Sequence, residues 1–229
     1  MRTFIRSFLA GWLLCSTATA AEPTIDPNLP TVVLIGDSIR LGYTSTVVKE
    51  LAGRANVVGP AANGGDSSNV LSHLGEWAIQ RQPDVVHFNC GIHDIKKSKQ
   101  AGTFQTPPEK YEANLRAIVE RLRKETKATV VFALTTPLVD DRAAKLRVDK
   151  DYELLNASTE QYNEIARRVM KELDVPVNDL RAALGDRDEQ LKLIVDDGVH
   201  FKPEGSKKLG QAVAAFVGPL LSTAKPAAK

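Results

Sequence analysis

Four apolar residues, Val32-Val33-Leu34-Ile35, run without a break into Gly36-Asp37-Ser38, and a helix-compatible segment follows at once. A strand buried on both faces reads as such a continuous apolar run, whereas a strand with one wet face alternates. The stretch therefore directs the chain toward a parallel sheet with helices crossing over it. Gly36 permits a sharp exit from the strand. Ser38 then falls at the C-terminal edge of the sheet and the start of the next helix, where open α/β sheets bind ligands. Free backbone N–H groups and the helix dipole favour developing negative charge at that spot. Two readings of Ser38 follow, a helix cap or a nucleophile.

The rest of the chain repeats the pattern. Strands are predicted at residues 31–35, 55–58, 84–90, 128–134 and 175–178. Helices are predicted at 41–51, 69–80, 109–127, 152–173 and 203–221. The 109–127 helix carries Leu115, Ile118, Val119 and Leu122 at helical spacing, and Pro203 suits a first helical turn. Residues 91–108 and 135–150 are long charged connections, and 186–201 reads mostly as loop; such lengths in a compact domain often carry function. The alternation predicts an α/β fold, a three-layer α/β/α sandwich around a central five-stranded parallel sheet. A single domain is expected over residues 31–222, after an extended, proline-containing lead-in at 21–30 and before a loose tail at 223–229.

Residues 1–20 read as a signal peptide. Arg2 and Arg6 precede an apolar run from Phe8 to Ala18, and Ala18-Thr19-Ala20 is a small-residue cleavage pattern. The expected location is secreted or periplasmic. Leu14 before Cys15 is larger than the residue a lipoprotein site carries, which argues against a lipid anchor. No later stretch is apolar for long enough to insert stably in a membrane. Without the two arginines of this segment the formal charge of +2 falls to zero, so nothing favours nucleic acid or an anionic surface as partner. Cys90 is then the only cysteine, and no internal disulfide is available.

A nucleophilic serine needs a base, a group to orient the base, and donors for the oxyanion. His73 falls on the polar side of a predicted helix and reads as solvated. His87 lies inside the third strand and reads as a core residue. His93 follows that strand, on the same sheet edge as Ser38. His200 lies in Asp197-Gly198-Val199-His200, just before the last helix. A carboxylate three residues before a histidine, with a glycine between, can hold the imidazole in one tautomer, though Asp-x-x-His alone is also a common structural pattern. His93, Asp94 and His200 lack the paired spacing of metal ligands, so neither a metal nor another cofactor is expected.

The four blocks taken together change the weight of each. The chain resembles the SGNH hydrolases, often called GDSL-like esterases and lipases. Gly36-Asp37-Ser38-Ile39 resembles the nucleophile block, and Asn63-Gly64-Gly65-Asp66-Ser67 the second block. Gly91-Ile92-His93-Asp94 falls where the family has Gly-x-Asn-Asp, and Asp197-Gly198-Val199-His200 matches the closing Asp-x-x-His. The resemblance implies a flavodoxin-like hydrolase fold with Ser38 as nucleophile, His200 as general base and acid, and Asp197 orienting His200. It implies an oxyanion hole made by the backbone N–H groups of Ser38 and Gly65 and by the side chain of His93. The departure is His93, which stands where the family places asparagine. A histidine can donate one N–H, and as imidazolium it would add charge, with an ordinary pKa near 6.5. Asn89 is the alternative donor, two residues deeper in the strand.

The implied activity is hydrolysis of a carboxylic ester, on a small-molecule or carbohydrate substrate, through an acyl-enzyme. Neither long connection resembles a large apolar lid, so short acyl groups, acetyl on carbohydrate above all, are expected by analogy. A lysophospholipase or thioesterase, and a non-catalytic carbohydrate-binding relative, are the alternatives. Asp37, Arg40, Asp94 and Arg142 are candidates for substrate contact, with Lys96, Lys97 and Arg147 if the substrate is polar or acidic. No exposed apolar stripe indicates an oligomeric state.

Overall fold

The computed structural model describes residues 25–223. The predicted signal peptide with Cys15, residues 21–24 of the lead-in and residues 224–229 of the tail lie outside the described residues. In chain order the elements begin with β1 (Thr31–Ile35), α1 (Ser38–Glu50), β2 (Asn56–Val58), α2 (Ser67–Trp77), β3 (Val85–Phe88), β4 (Lys97–Ser98) and α3 (Pro108–Glu125). They continue with β5 (Thr129–Ala133), α4 (Asp140–Lys145), β6 (Tyr152–Glu153), α5 (Asn156–Glu172), β7 (Val177–Asn178), α6 (Arg187–Leu193) and α7 (Pro203–Val217).

Five strands form one parallel sheet in the order β2-β1-β3-β5-β7. Val32 to Ile35 and the apolar residues of β3 are fully buried, as continuous apolar runs require. Helix α1 packs on α7, while α3 packs between α2 and α5, so helices flank the sheet in two layers. The chain leaves β1 on one side to form β2, then returns past it to form β3. The connections after β1 and β3 therefore diverge, and the crevice between them opens at the carboxyl ends of these strands. Both Ser38 and His93 belong to those connections.

The structure departs from the sequence expectations where elements are short. Helix α1 starts at Ser38 rather than residue 41, because Asp37 caps it: its carboxylate accepts from the Ile39 N–H at 2.9 Å. The cap is thus Asp37, and Ser38 is free of that role. The connection at 135–150 contains α4, and that at 186–201 contains α6, capped by Asp186, whose carboxylate accepts from the Glu189 N–H. Residues Tyr152 and Glu153, expected to be helical, instead pair antiparallel with Ser98 and Lys97. The Lys99 N–H donates to the Asp151 carbonyl at 2.8 Å, and its ammonium to the Arg147 carbonyl at 2.6 Å. The two long connections are stitched to each other in this way.

Candidate active site

Ser38 opens α1 immediately beyond β1. The second glycine-bearing loop sits directly against this turn, since the Gly64 N–H donates to the Gly36 carbonyl at 2.8 Å. A Cβ on Gly64 would lie 2.6 Å from that carbonyl oxygen, so only glycine allows the approach.

His200 is held by a tight turn. The Gly198 N–H donates to the Val195 carbonyl, and the Val195 N–H donates to the His200 carbonyl. One oxygen of Asp197 accepts from the backbone N–H groups of Val199 and His200, both at 2.8 Å. Its other oxygen pairs with His200 Nδ1. Nε2 of the same ring lies 2.7 Å from Ser38 Oγ. With Nδ1–H given to the carboxylate, Nε2 is the acceptor for the serine hydroxyl proton. Partial burial pushes the Asp197 carboxyl up, but the hydrogen bonds from His200 and the two backbone N–H groups outweigh it and hold the pKa below the usual range. Asp197 is therefore held in its carboxylate form.

The 135–150 connection braces this turn from behind. The Val139 N–H donates to the Gly198 carbonyl, Arg142 to the Ile194 carbonyl at 2.6 Å, and Arg147 to the Asp197 carbonyl at 2.9 Å. Gly198 has φ +74°, and a Cβ there would lie 2.5 Å from both Val139 O and Ala143 N. Gly198→Ala is expected to cost ~2 kcal/mol or more and to lower turnover with it, because the turn carrying Asp197 and His200 must move off α4. Urea unfolding alongside an esterase assay reads both effects; parent-like values in the variant would show that the turn relaxes freely.

On the other side of Ser38, the Gly65 N–H donates to Asn63 Oδ1 at 2.9 Å. His93 is half-buried on the turn after β3, and the Lys96 ammonium donates to its Nδ1 at 3.1 Å. Burial, with the charge of Lys96 beside it, pushes the His93 pKa down to about 4. The ring is thus neutral at neutral pH, so of the two forms considered for it the uncharged donor is the one present. Asn89 does not replace it: its amide donates to the Ala133 carbonyl at 2.7 Å, at the end of the neighbouring strand.

Asp94 is fully buried, and it ties the His93 turn to α2. Its carboxylate accepts from the Ser67 N–H at 3.0 Å and from the Ser67 hydroxyl, while Asn114 donates to Ser67 Oγ at 2.8 Å. Burial raises its pKa to about 6 against these hydrogen bonds. The Gly65 loop and the His93 turn are fixed relative to each other through this carboxylate.

The cleft of about 320 Å³ beside Ser38 is lined by Asn63, His93, Lys96, Arg147, Tyr152 and His200, with Ile92, Leu154 and Val199. Of the residues expected to contact substrate, five need correction. Asp37 and Asp94 are wholly buried. Arg40 is 3% exposed, with its guanidinium on the Ala62 and Gly36 carbonyls. Arg142 is spent on Ile194. Lys97 places its ammonium over the Phe104 ring rather than in this cleft. His87 is buried as expected, whereas His73 is part-buried and stacked on Trp77 rather than solvated. Sequence reasoning passed over Asn63, Tyr152 and Leu154. Asn63 had a signal, since an asparagine two residues before a backbone N–H commonly bonds it; the other two come from the stitching of the connections.

The family model of the GDSL-like Lipase/Acylhydrolase family matches residues 34–208. A GDSL esterase/lipase of Arabidopsis thaliana is 24% identical over 196 residues, 77% of this chain and 81% of that protein. A second, from Oryza sativa subsp. japonica, is 26% identical over 194 residues, 79% of this chain and 75% of that protein. Among solved structures, a lipase/acylhydrolase from Enterococcus faecalis superposes with a TM-score of 0.70 at 20% identity, covering 88% of this chain and 100% of that one. Axe2, an acetylxylan esterase from Geobacillus stearothermophilus, gives 0.63 at 21% identity, with 83% and 94% covered.

Proposed function

The chain belongs to the GDSL-like lipase/acylhydrolase family and is a serine ester hydrolase of the SGNH type, and from that premise we propose that it removes short acyl groups, acetyl above all, from carbohydrate esters outside the cytoplasm. The observation that carries the chemistry is the continuous line Asp197–His200–Ser38, with Ser38 Oγ 2.7 Å from His200 Nε2. Ser38 Oγ attacks the acyl carbon as His200 Nε2 takes its proton. The tetrahedral oxyanion is held by the backbone N–H groups of Ser38 and Gly65, the latter exchanging its bond to Asn63, and by His93. His200 then returns the proton to the leaving alcohol. Water attacks the acyl-enzyme by the same route and frees Ser38. Asp197 stabilises the imidazolium that forms in each step.

Support for a short acyl group comes from the cleft, which holds only about 320 Å³ and whose apolar lining is confined to Ile92, Leu154 and Val199 beside the polar side chains. An acetylxylan esterase among the fold neighbours fits a carbohydrate alcohol. Export rests on the arginine-led apolar segment that ends in Ala18-Thr19-Ala20. A series of p-nitrophenyl esters tests the acyl preference. Acetate or butyrate is expected to give the highest kcat/KM, and acetyl release from acetylated xylooligosaccharides is expected. A maximum at eight carbons or more would contradict the reading and favour a lysophospholipase or thioesterase.

A further inference from the structure

We propose that Lys96 is a positioning residue for this reaction: its ammonium, bonded to His93 Nδ1, fixes the ring with Nε2–H as the donor to the oxyanion. The inference rests on the reading of His93 as an oxyanion donor. A lysine ammonium only donates, so Nδ1 of His93, 3.1 Å away, is an acceptor. An imidazole that accepts at Nδ1 and is neutral carries its proton on Nε2. Burial and the neighbouring charge keep the ring neutral, consistent with that tautomer.

Lys96 is itself held in place from both long connections. Its carbonyl accepts from the Gln105 N–H at 2.7 Å, and its ammonium lies 5.2 Å from the centre of the Tyr152 ring on β6. Tyr152 is fixed in turn by the β4–β6 pairing. The other cleft cation, Arg147, turns one guanidinium nitrogen, Nη1, to the Ala143 and Asp197 carbonyls, on the His200 side of the cleft. Lys96 therefore supplies the positive charge at the oxyanion side of the cleft, relayed through the imidazole. A positive donor at one ring nitrogen polarises the ring and strengthens the N–H at the other. This arrangement lets a histidine do what a side-chain amide does without a partner.

The test is a cycle of four proteins, the parent, Lys96→Met, His93→Asn and the double variant, assayed with p-nitrophenyl acetate. Lys96→Met is expected to lower kcat about tenfold with KM unchanged, because one charge-assisted hydrogen bond is lost. Lys96→Arg, which keeps charge and donors, is expected to retain most of the parent kcat. In the His93→Asn background, Lys96→Met is expected to change kcat by less than about twofold, since no ring remains to orient. Parent-like kcat in Lys96→Met, equal losses in both backgrounds, or the same loss in Lys96→Arg would overturn the role of Lys96. His93→Ala distinguishes the levels. If it has no effect, the reading of His93 itself fails; if it is costly while Lys96→Met is silent, only the role of Lys96 fails.

Discussion

Ser38→Ala is expected to lower kcat for a short-chain ester by about 10⁶-fold without loss of thermal stability. The large kinetic effect follows because, in the proposed mechanism, Ser38 is the group that forms the acyl-enzyme. His200→Ala is expected to fall to a similar level, and the double variant hardly further, because a nucleophile and its base act as one unit. Asp197→Asn should cost less, about 10⁴-fold, since the amide favours the wrong tautomer of His200. The stability half of the expectation comes from the cap. Asp37, not Ser38, caps α1, so removing the Ser38 hydroxyl leaves the helix start intact. Steady-state rates with thermal unfolding of the same samples check both parts. A large drop in melting temperature for Ser38→Ala would mean that Ser38 is structural.

His93→Ala comes second in expected effect, a loss of about 10²–10³-fold in kcat, the usual consequence of removing one oxyanion donor. His93→Asn is expected to retain substantial activity, since an amide also presents an N–H. The pKa of about 4 adds a pH signature. His93 is neutral and donates through one nitrogen throughout roughly pH 5 to 9, so it contributes no inflection there. The kcat–pH profile of His93→Asn should therefore keep the parent's shape over that range. Had His93 kept its ordinary pKa near 6.5, the substitution would delete a step from the profile. Equal activity of His93→Ala and the parent would remove His93 from the mechanism.

What the sequence reveals of this molecule follows burial. Strand β1 is read to the residue, and β3, β5 and α3 to within a few, because two-faced burial and a wide apolar stripe leave unmistakable patterns. Two-residue β4 and β6 and the short α4 and α6 carry too few residues for any period to show. The site divides in the same way. Ser38, Asp197 and His200 stand out because each sits in a block of fixed composition, 162 residues separating the serine from its base. Charged residues in or beside the same blocks are harder to read, since a charge normally marks solvent or substrate. Arg40 is instead buried on two carbonyls, and Asp94 on Ser67 across 27 residues, partners no local pattern announces. Arg142 and Arg147, five residues apart around α4, differ only in tertiary contact: Arg147 lines the cleft and Arg142 does not. The contact between His93 and Lys96 is not announced by their spacing alone, and it emerges only with the structure, which sets both beside Ser38 in the cleft.

In the proposed mechanism everything depends on Ser38 being a nucleophile activated by His200 and Asp197. Its most direct test is intact-mass measurement and peptide mapping after exposure to a fluorophosphonate. One adduct per chain is expected, on the peptide containing Ser38, absent in Ser38→Ala and formed far more slowly in His200→Ala. Well-folded protein that takes up no label, or takes it up on another residue, would contradict it.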